Sequence, residues 1–140
     1  MNSKFFKRMG LFSFGGKKAT SFLTNRLIRG MRHELPIKNK MLFHMIQKQA
    51  GINDGSTLQE INVYFYTDTE AKATALAEKL PEKGVIPHKP WCNGKVWSIP
   101  GKATNLTFSE DRIQKWSAEL VELAILHDCE FDGWELGIPT

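Results

Sequence analysis

The sequence predicts an α+β domain (α/β in the broad sense) built on a β-α-β-β-α-β unit that follows N-terminal helices. Three observations carry this. INVYFYT, residues 61–67, alternates strictly between apolar and polar positions, as a half-buried strand does. Asn93-Gly94 sits between two apolar-rich runs, the strongest short-range hairpin signal. Thr67-Asp-Thr-Glu70 and Thr107-Phe-Ser-Glu110 each have capping-box spacing and each open a helical period. The resulting split βαβ order specifies a four-stranded antiparallel sheet with two helices on one face.

Taken in order, residues 1–18 mix Phe, Lys and Gly without a sustained period and read as weakly ordered. From Thr20, Phe22, Leu23, Leu27, Ile28 and Met31 recur at helical spacing with Arg26, Arg29 and Arg32 between them. That pattern predicts a basic amphipathic helix over 20–33, ending before Pro36 because a proline disfavours helical backbone at the residue before it. Ile37, Met41, Leu42, Met45 and Ile46 predict a second helix with these residues inward, closed by Gly51 as C-cap. INDGST then reads as a loop, and INVYFYT places Ile61, Val63 and Phe65 on one face and Asn62, Tyr64 and Tyr66 on the other.

The first capping box, with Thr67 as its hydroxyl, opens a helix to about Lys79 that buries Ala73, Leu76, Ala77 and Leu80. A turn centred on Asn93-Gly94 pairs Cys92 with Lys95, Trp91 with Val96 and Pro90 with Trp97. Pro87 and Pro90 lack ladder donors, so the first arm belongs at a sheet edge. The second box opens a long helix with Ile113, Trp116, Leu120, Leu123, Ala124 and His127 on one face, ending near Asp128. CEFDGWELG, residues 129–137, supplies the last strand, with Phe131 toward the helices and Gly133 allowing a bulge.

At 140 residues and 15.9 kDa the chain suits one domain with an appendage, divided as a basic arm over residues 1–38 and a domain over 39–140. Charge is segregated along it. Residues 1–55 carry 11 Lys and Arg against Glu34 and Asp54, a net of +9, while the rest holds 8 basic and 13 acidic residues, a net of −5. The halves therefore suit different partners. No stretch suits a membrane span or secretory signal, and two cysteines permit at most one disulfide, so the expected setting is reducing and cytoplasmic. The acid-free start reads as a basic tail, although an organelle presequence or membrane-surface arm has similar composition.

Little in the sequence suggests catalysis. Glu130, Asp132 and Glu135 cluster without a His, Ser or Lys at telling spacing, and acids at a strand edge ordinarily resist aggregation. His33, His44, His88 and His127 form no metal-binding pattern with Cys92 or Cys129, and GKKAT at 16–20 lacks the rest of a phosphate loop. No cofactor or metal is expected. Tyr64 and Tyr66 share the face away from the helices, and Trp97 is expected to join them. Such rings can stack bases, but no basic residue accompanies them here, and a protein partner is the competing reading. Arg26, Arg29 and Arg32 are the candidate nucleic-acid contacts, with a solvated helix face as the ordinary alternative.

Residues 40–137 then become informative as a whole. GINDGSTLQEINVYFYTDTEAKATALAEKLPEKGV, GKVWSIPGKATNL and HDCEFDGWEL, with the D-G-W signature at Asp132, Gly133 and Trp134, resemble the ribonuclease E inhibitor family, the regulators of ribonuclease activity B. The resemblance implies a ferredoxin-like fold, no catalytic activity, and binding to a ribonuclease E-type endoribonuclease that alters RNA decay. Residues 1–38 have no counterpart in it, and this chain is basic where family members are acidic.

The expected function is thus a non-enzymatic, cytoplasmic regulator binding a protein partner, an endoribonuclease, through Tyr64, Tyr66, Trp97, Glu130, Asp132, Trp134 and Glu135. An RNA-binding module using the basic arm, or an immunity-type protein that neutralises a nuclease, are the alternatives.

Overall fold

The computed structural model describes residues 21–53, 55–58 and 60–137, so the reading of residues 1–18 falls outside the described residues. Helical backbone runs from Asn25 to Gln49: α1 (Asn25–Arg29), one π turn (Gly30–Glu34) and α2 (Leu35–Gln49). Then come β1 (Thr57–Leu58), β2 (Ile61–Thr67), α3 (Glu70–Lys79) with a 3₁₀ turn to Lys83, β3 (Val85–Pro87), β4 (Trp91–Asn93) and β5 (Val96–Ala103). β6 (Leu106–Thr107), α4 (Glu110–Leu126) and β7 (Glu130–Leu136) complete the order.

The main sheet is antiparallel, with β3 and β4 both on the outer edge of β5, then β2, then β7. Five strands therefore occupy four positions, because the prolines split the edge strand in two. Its first and last chain segments, β2 and β7, are neighbours, as the ferredoxin-like order requires. β1 and β6 form a small second ladder where the sequence suggested only a loop.

Three local expectations need correction. The helix does not end before Pro36: the wide turn, in which the Leu35 N–H donates to the Gly30 carbonyl, carries the chain through to a proline at the second position of α2. Inside this continuous run Pro36 has no N–H to return to the preceding turn, and the wide turn just before it is where the helix takes up that missing bond. Both capping boxes are shifted, since Thr69 and Ser109 are the N-caps, accepting from the Lys72 and Arg112 N–H groups. Thr67 instead ends β2 and donates to the Asp128 carbonyl at 2.9 Å. The hairpin turn is Gly94-Lys95, with Trp91 opposite Ser98, Cys92 opposite Trp97 and Asn93 opposite Val96. Gly94 has φ +70° and Lys95 has no positive φ, the signature of a turn with glycine first.

α2 buries only part of the row expected, Ile46 with Leu42 half-buried. Leu35, Asn39, Phe43 and Ile46 face inward, whereas Ile37, Met41 and Met45 are 63%, 67% and 46% exposed. Asn39 earns its buried place through full satisfaction: its amide donates to Ser117 Oγ at 2.9 Å and Gln114 Oε1 at 3.2 Å, and its oxygen accepts from Trp134 Nε1 at 2.9 Å. Other expectations hold. Gly51 closes α2 with φ +67°, and Ala73, Leu76 and Leu80 are buried, with Ala77 half-buried.

The core lies between the sheet and α3 and α4. Phe65 stacks on Phe131 with ring centroids 4.8 Å apart, and Phe108 stacks on Phe43 at 4.4 Å. Phe65, Phe108 and Phe131 are essentially fully buried, each contributing roughly 1.5–3 kcal/mol of transfer free energy. Gly101, where β3, β5 and β2 meet, is required by volume. A Cβ there would lie 2.8 Å from Val85 Cγ1 and 3.2 Å from Val63 Cγ2.

The N-terminal helices join this core through Phe22, Leu23, Met31 and Leu35, all buried. Their fastening is Asp128, in the turn from α4 to β7 at φ +57°. Its carboxylate accepts from Ser21 Oγ, the Phe22 and Leu23 N–H groups, and Lys72 Nζ at 2.6 Å. Lys72 also holds Asp68 at 2.8 Å. Burial opposes ionisation of Asp128, but the ammonium and the two backbone donors outweigh it and hold its pKa below the usual value.

Two outcomes follow from this packing. Asp128→Ala should cost about 2–4 kcal/mol, and Asp128→Asn about half of that, in urea unfolding. Because the folded pKa is depressed, the Asp128 contribution is present above the unfolded value near 3.8 and lost as pH falls through the folded one, so the gap between wild type and Asp128→Asn should shrink in acid. Separately, Gly101→Ala should destabilise by about 1–3 kcal/mol through overpacking against valines, read as a lower urea midpoint; an unchanged midpoint would refute the steric account.

Candidate functional site

Cross-strand partners share a face, so the register settles which side chains meet. On the side away from α3 and α4, one transverse row runs Trp91, Ser98, Tyr66, Glu130. A second places Pro100 beside Tyr64, and a third runs Ile86, Lys102, Asn62, Glu135. Among these, Trp91 is 51% and Ile86 64% exposed. Among the described residues, no helix or strand covers this surface, which has rings at its centre and edge and carboxylates along the β7 margin.

Gly133 shapes that margin. At φ +105° it forms the expected bulge, and the β2–β7 register shifts between Val63 and Phe65. Within the bulge, Asp132 is exposed where the open face meets a cleft of about 220 Å³ between β7 and the N-terminal helices. Arg26, Glu34, Lys38, Glu130 and Asp132 contribute to the walls of this cleft. Partial desolvation raises the Asp132 pKa, and Lys38 opposes the rise.

The electrostatics of the rings report the same field. A hydrogen bond to Glu135 is the main reason the Tyr64 pKa is raised. For Tyr66 the main cause is burial, followed by the charges of Asp132 and Glu130. Hydroxyls, ring faces and carboxylates together accept hydrogen bonds and attract cations. They supply no nucleophile with an oriented base.

The structure thus gathers Tyr64, Tyr66, Glu130, Asp132 and Glu135, but separates two expected members from them. Trp97 lies opposite Thr67 and Cys92 on the helix side, half-buried against the core. Trp134 is 6% exposed, paired across from Val63 with its N–H on Asn39. Trp91 is the residue the sequence reading missed. Its alternation with the exposed hairpin was visible, but the β2–β5 register that puts it in line with Tyr66 was not.

The three arginines do not form one stripe. Arg32 makes a two-pronged ion pair with Glu122 on α4, at 2.8 and 2.9 Å, which raises its pKa. Arg26 lies instead in the cleft beside Glu130 and Asp132, and Arg29 is exposed. Among the described residues, no group of three His, Cys, Asp or Glu could hold a metal ion, and no helix is long and apolar enough to cross a membrane. Cys92 is an exposed free thiol, while Cys129 is buried, which pushes its pKa up to about 12.

A search of curated proteins finds no match. Residues 37–136 match the family model described as regulator of ribonuclease activity B, from the third residue of α2 to the last residue of β7. With most of its length matched, this chain belongs to the regulator of ribonuclease activity B family, which regulates ribonuclease activity.

Proposed function

We propose that the chain is a non-enzymatic, cytoplasmic regulator that binds a ribonuclease E-type endoribonuclease and thereby alters RNA decay. The docking surface in this reading is the open face of the sheet. The observation that carries it is the row Trp91, Ser98, Tyr66, Glu130, which leaves a large exposed ring in line with a tyrosine and a carboxylate while the other sheet face is filled by core. Interface anchors are enriched in Tyr and Trp, which bury large area with few rotatable bonds.

A carboxylate margin suits a basic protein segment and repels nucleic acid phosphate. The dispersal of Arg26 and Arg32 to opposite neighbours removes the continuous basic stripe that an RNA contact would use. Inhibition by this route needs only that the bound regulator blocks a surface or an assembly step of the enzyme. No chemical step is required of the regulator itself.

Binding to an endoribonuclease, measured by calorimetry or surface capture, should weaken about tenfold or more for Tyr66→Ala and for Trp91→Ala, equivalent to about 1.4 kcal/mol each. Met41→Ala, on the exposed row of α2, serves as the surface control and should bind as wild type. Wild-type affinity in both ring variants would place the docking surface elsewhere, and the absence of any ribonuclease binding or inhibition by the full chain would overturn the reading altogether.

A further inference from the structure

The open face is furrowed along its middle strand. The outward side chains of β5 are Ser98, Pro100 and Lys102, and the first two are small. Larger groups stand on either side, Trp91 and Ile86 from the edge strands and Tyr66 and Tyr64 from β2. Ser98 and Pro100 are thus a floor between walls that carry rings. The Tyr64 hydroxyl bonds Glu135, which turns that ring toward β7 and makes it part of the wall.

Width decides what fits. Neighbouring strands lie about 4.8 Å apart, so the two walls stand about 10 Å apart across β5. An α-helix with its side chains is about 10–12 Å wide and would ride above them. A single extended chain fits between them. The backbone groups of β5 are engaged by β2 on one side and by β3 and β4 on the other, so an occupant in β conformation would leave its own N–H groups without a ladder. A polyproline II segment needs no ladder, and its prolines have no N–H to satisfy. Trp91, Tyr66 and Ser98 carry indole and hydroxyl donors suited to its free carbonyls.

Charge constrains the occupant further. Glu130 lies opposite Tyr66 and Glu135 opposite Asn62, four β2 residues apart, a separation of about 13 Å. In a polyproline II segment every third residue returns to the same side about 9 Å further on, so long cationic side chains at that period reach both carboxylates past the tyrosine rings. Lys102, at the far end of the floor, is held by Glu60 at 2.9 Å.

We propose that the open face binds a partner segment in polyproline II conformation, seated in the furrow between Trp91 and Tyr66, with Lys or Arg at every third position meeting Glu130 and Glu135. This rests on the reading that the open face is the partner site, and it makes the recognised part of the ribonuclease an extended, proline-bearing basic stretch.

The test titrates the full chain with synthetic peptides by calorimetry. Three Arg-Pro-Pro repeats should bind about tenfold more tightly than three Glu-Pro-Pro repeats, which reverse the charge, and than three Arg-Gly-Gly repeats, which keep the charge but lose the preformed conformation. That comparison needs no variant. Ser98→Leu raises the floor while leaving both rings and all carboxylates in place, and should weaken Arg-Pro-Pro binding about tenfold with an unchanged urea midpoint. Glu130→Gln/Glu135→Gln should weaken it similarly and flatten its salt dependence. Equal binding of the Arg-Gly-Gly and Arg-Pro-Pro peptides would overturn the proposal. So would wild-type affinity in Ser98→Leu, or tighter binding of oligouridylate than of any peptide.

The two readings fail separately. A chain that binds ribonuclease through Tyr66 and Trp91 but ignores Ser98→Leu and the peptides sinks the furrow and leaves the function standing. Arg-Pro-Pro binding by a chain that binds no ribonuclease supports the furrow and sinks the functional reading. Where both hold, the Arg-Pro-Pro peptide should displace the ribonuclease in competition and the Glu-Pro-Pro peptide should not.

Discussion

The fold hinges on the carboxylate of Asp128. It sits at a left-handed corner that ends one helix and begins the last strand, and it gathers donors from the N-terminal segment and from α3. An aspartate tolerates that backbone better than most residues because its short polar side chain can bond locally. Its main-chain carbonyl is used as well, by Thr67 at the end of β2. Four chain segments thus converge on one residue, and the αL turn fixes where β7 starts. A slip there would reverse every inward and outward side chain of the strand.

A second polar knot does for the sheet margin what Asp128 does for the corner. Asn39 joins α2 to α4 through Gln114 and Ser117 and to β7 through Trp134. Trp134 lies on the inner face because Gly133 bulges the strand between Asp132 and itself. The D-G-W signature is therefore architectural: the glycine supplies the bulge, the tryptophan the anchor, and the aspartate emerges where the face meets the cleft. Only Asp132 of the three offers a charge to a partner. This also accounts for Met31, whose sulfur lies 3.2 Å from the Phe131 N–H, an edge donor that the N-terminal helical run covers.

Legibility in the sequence followed the range of the interactions. Strand β2, both long helices, the edge position of the proline-rich arm and the Gly133 bulge are dictated by neighbours in sequence, and all were readable. The caps were missed by two residues because Thr67 and Thr107 satisfy the same spacing as the true caps, and only the strand ladders show that those threonines are already engaged. The inward row of α2 was misread because Ile37, Met41 and Met45 are more apolar than the row containing Asn39. A buried amide is tolerable only with partners from α4 and β7, 75 to 95 residues away. Trp97 and Trp91 exchanged places for a similar reason: alternation along a strand separates its two faces without saying which one the helices cover.

The charge segregation along the chain takes on meaning in this setting. The acidic half supplies a margin of carboxylates on a face that no element of the described fold covers, and the basic half is tied to the corner beside it. Part of the basic charge is already neutralised within the fold, Arg32 by Glu122 and Lys38 facing Asp132. The cleft between β7 and the N-terminal helices therefore carries both signs, Arg26 and Lys38 on one wall and Glu130 and Asp132 on the other, while Glu135 stays on the open face beside Tyr64.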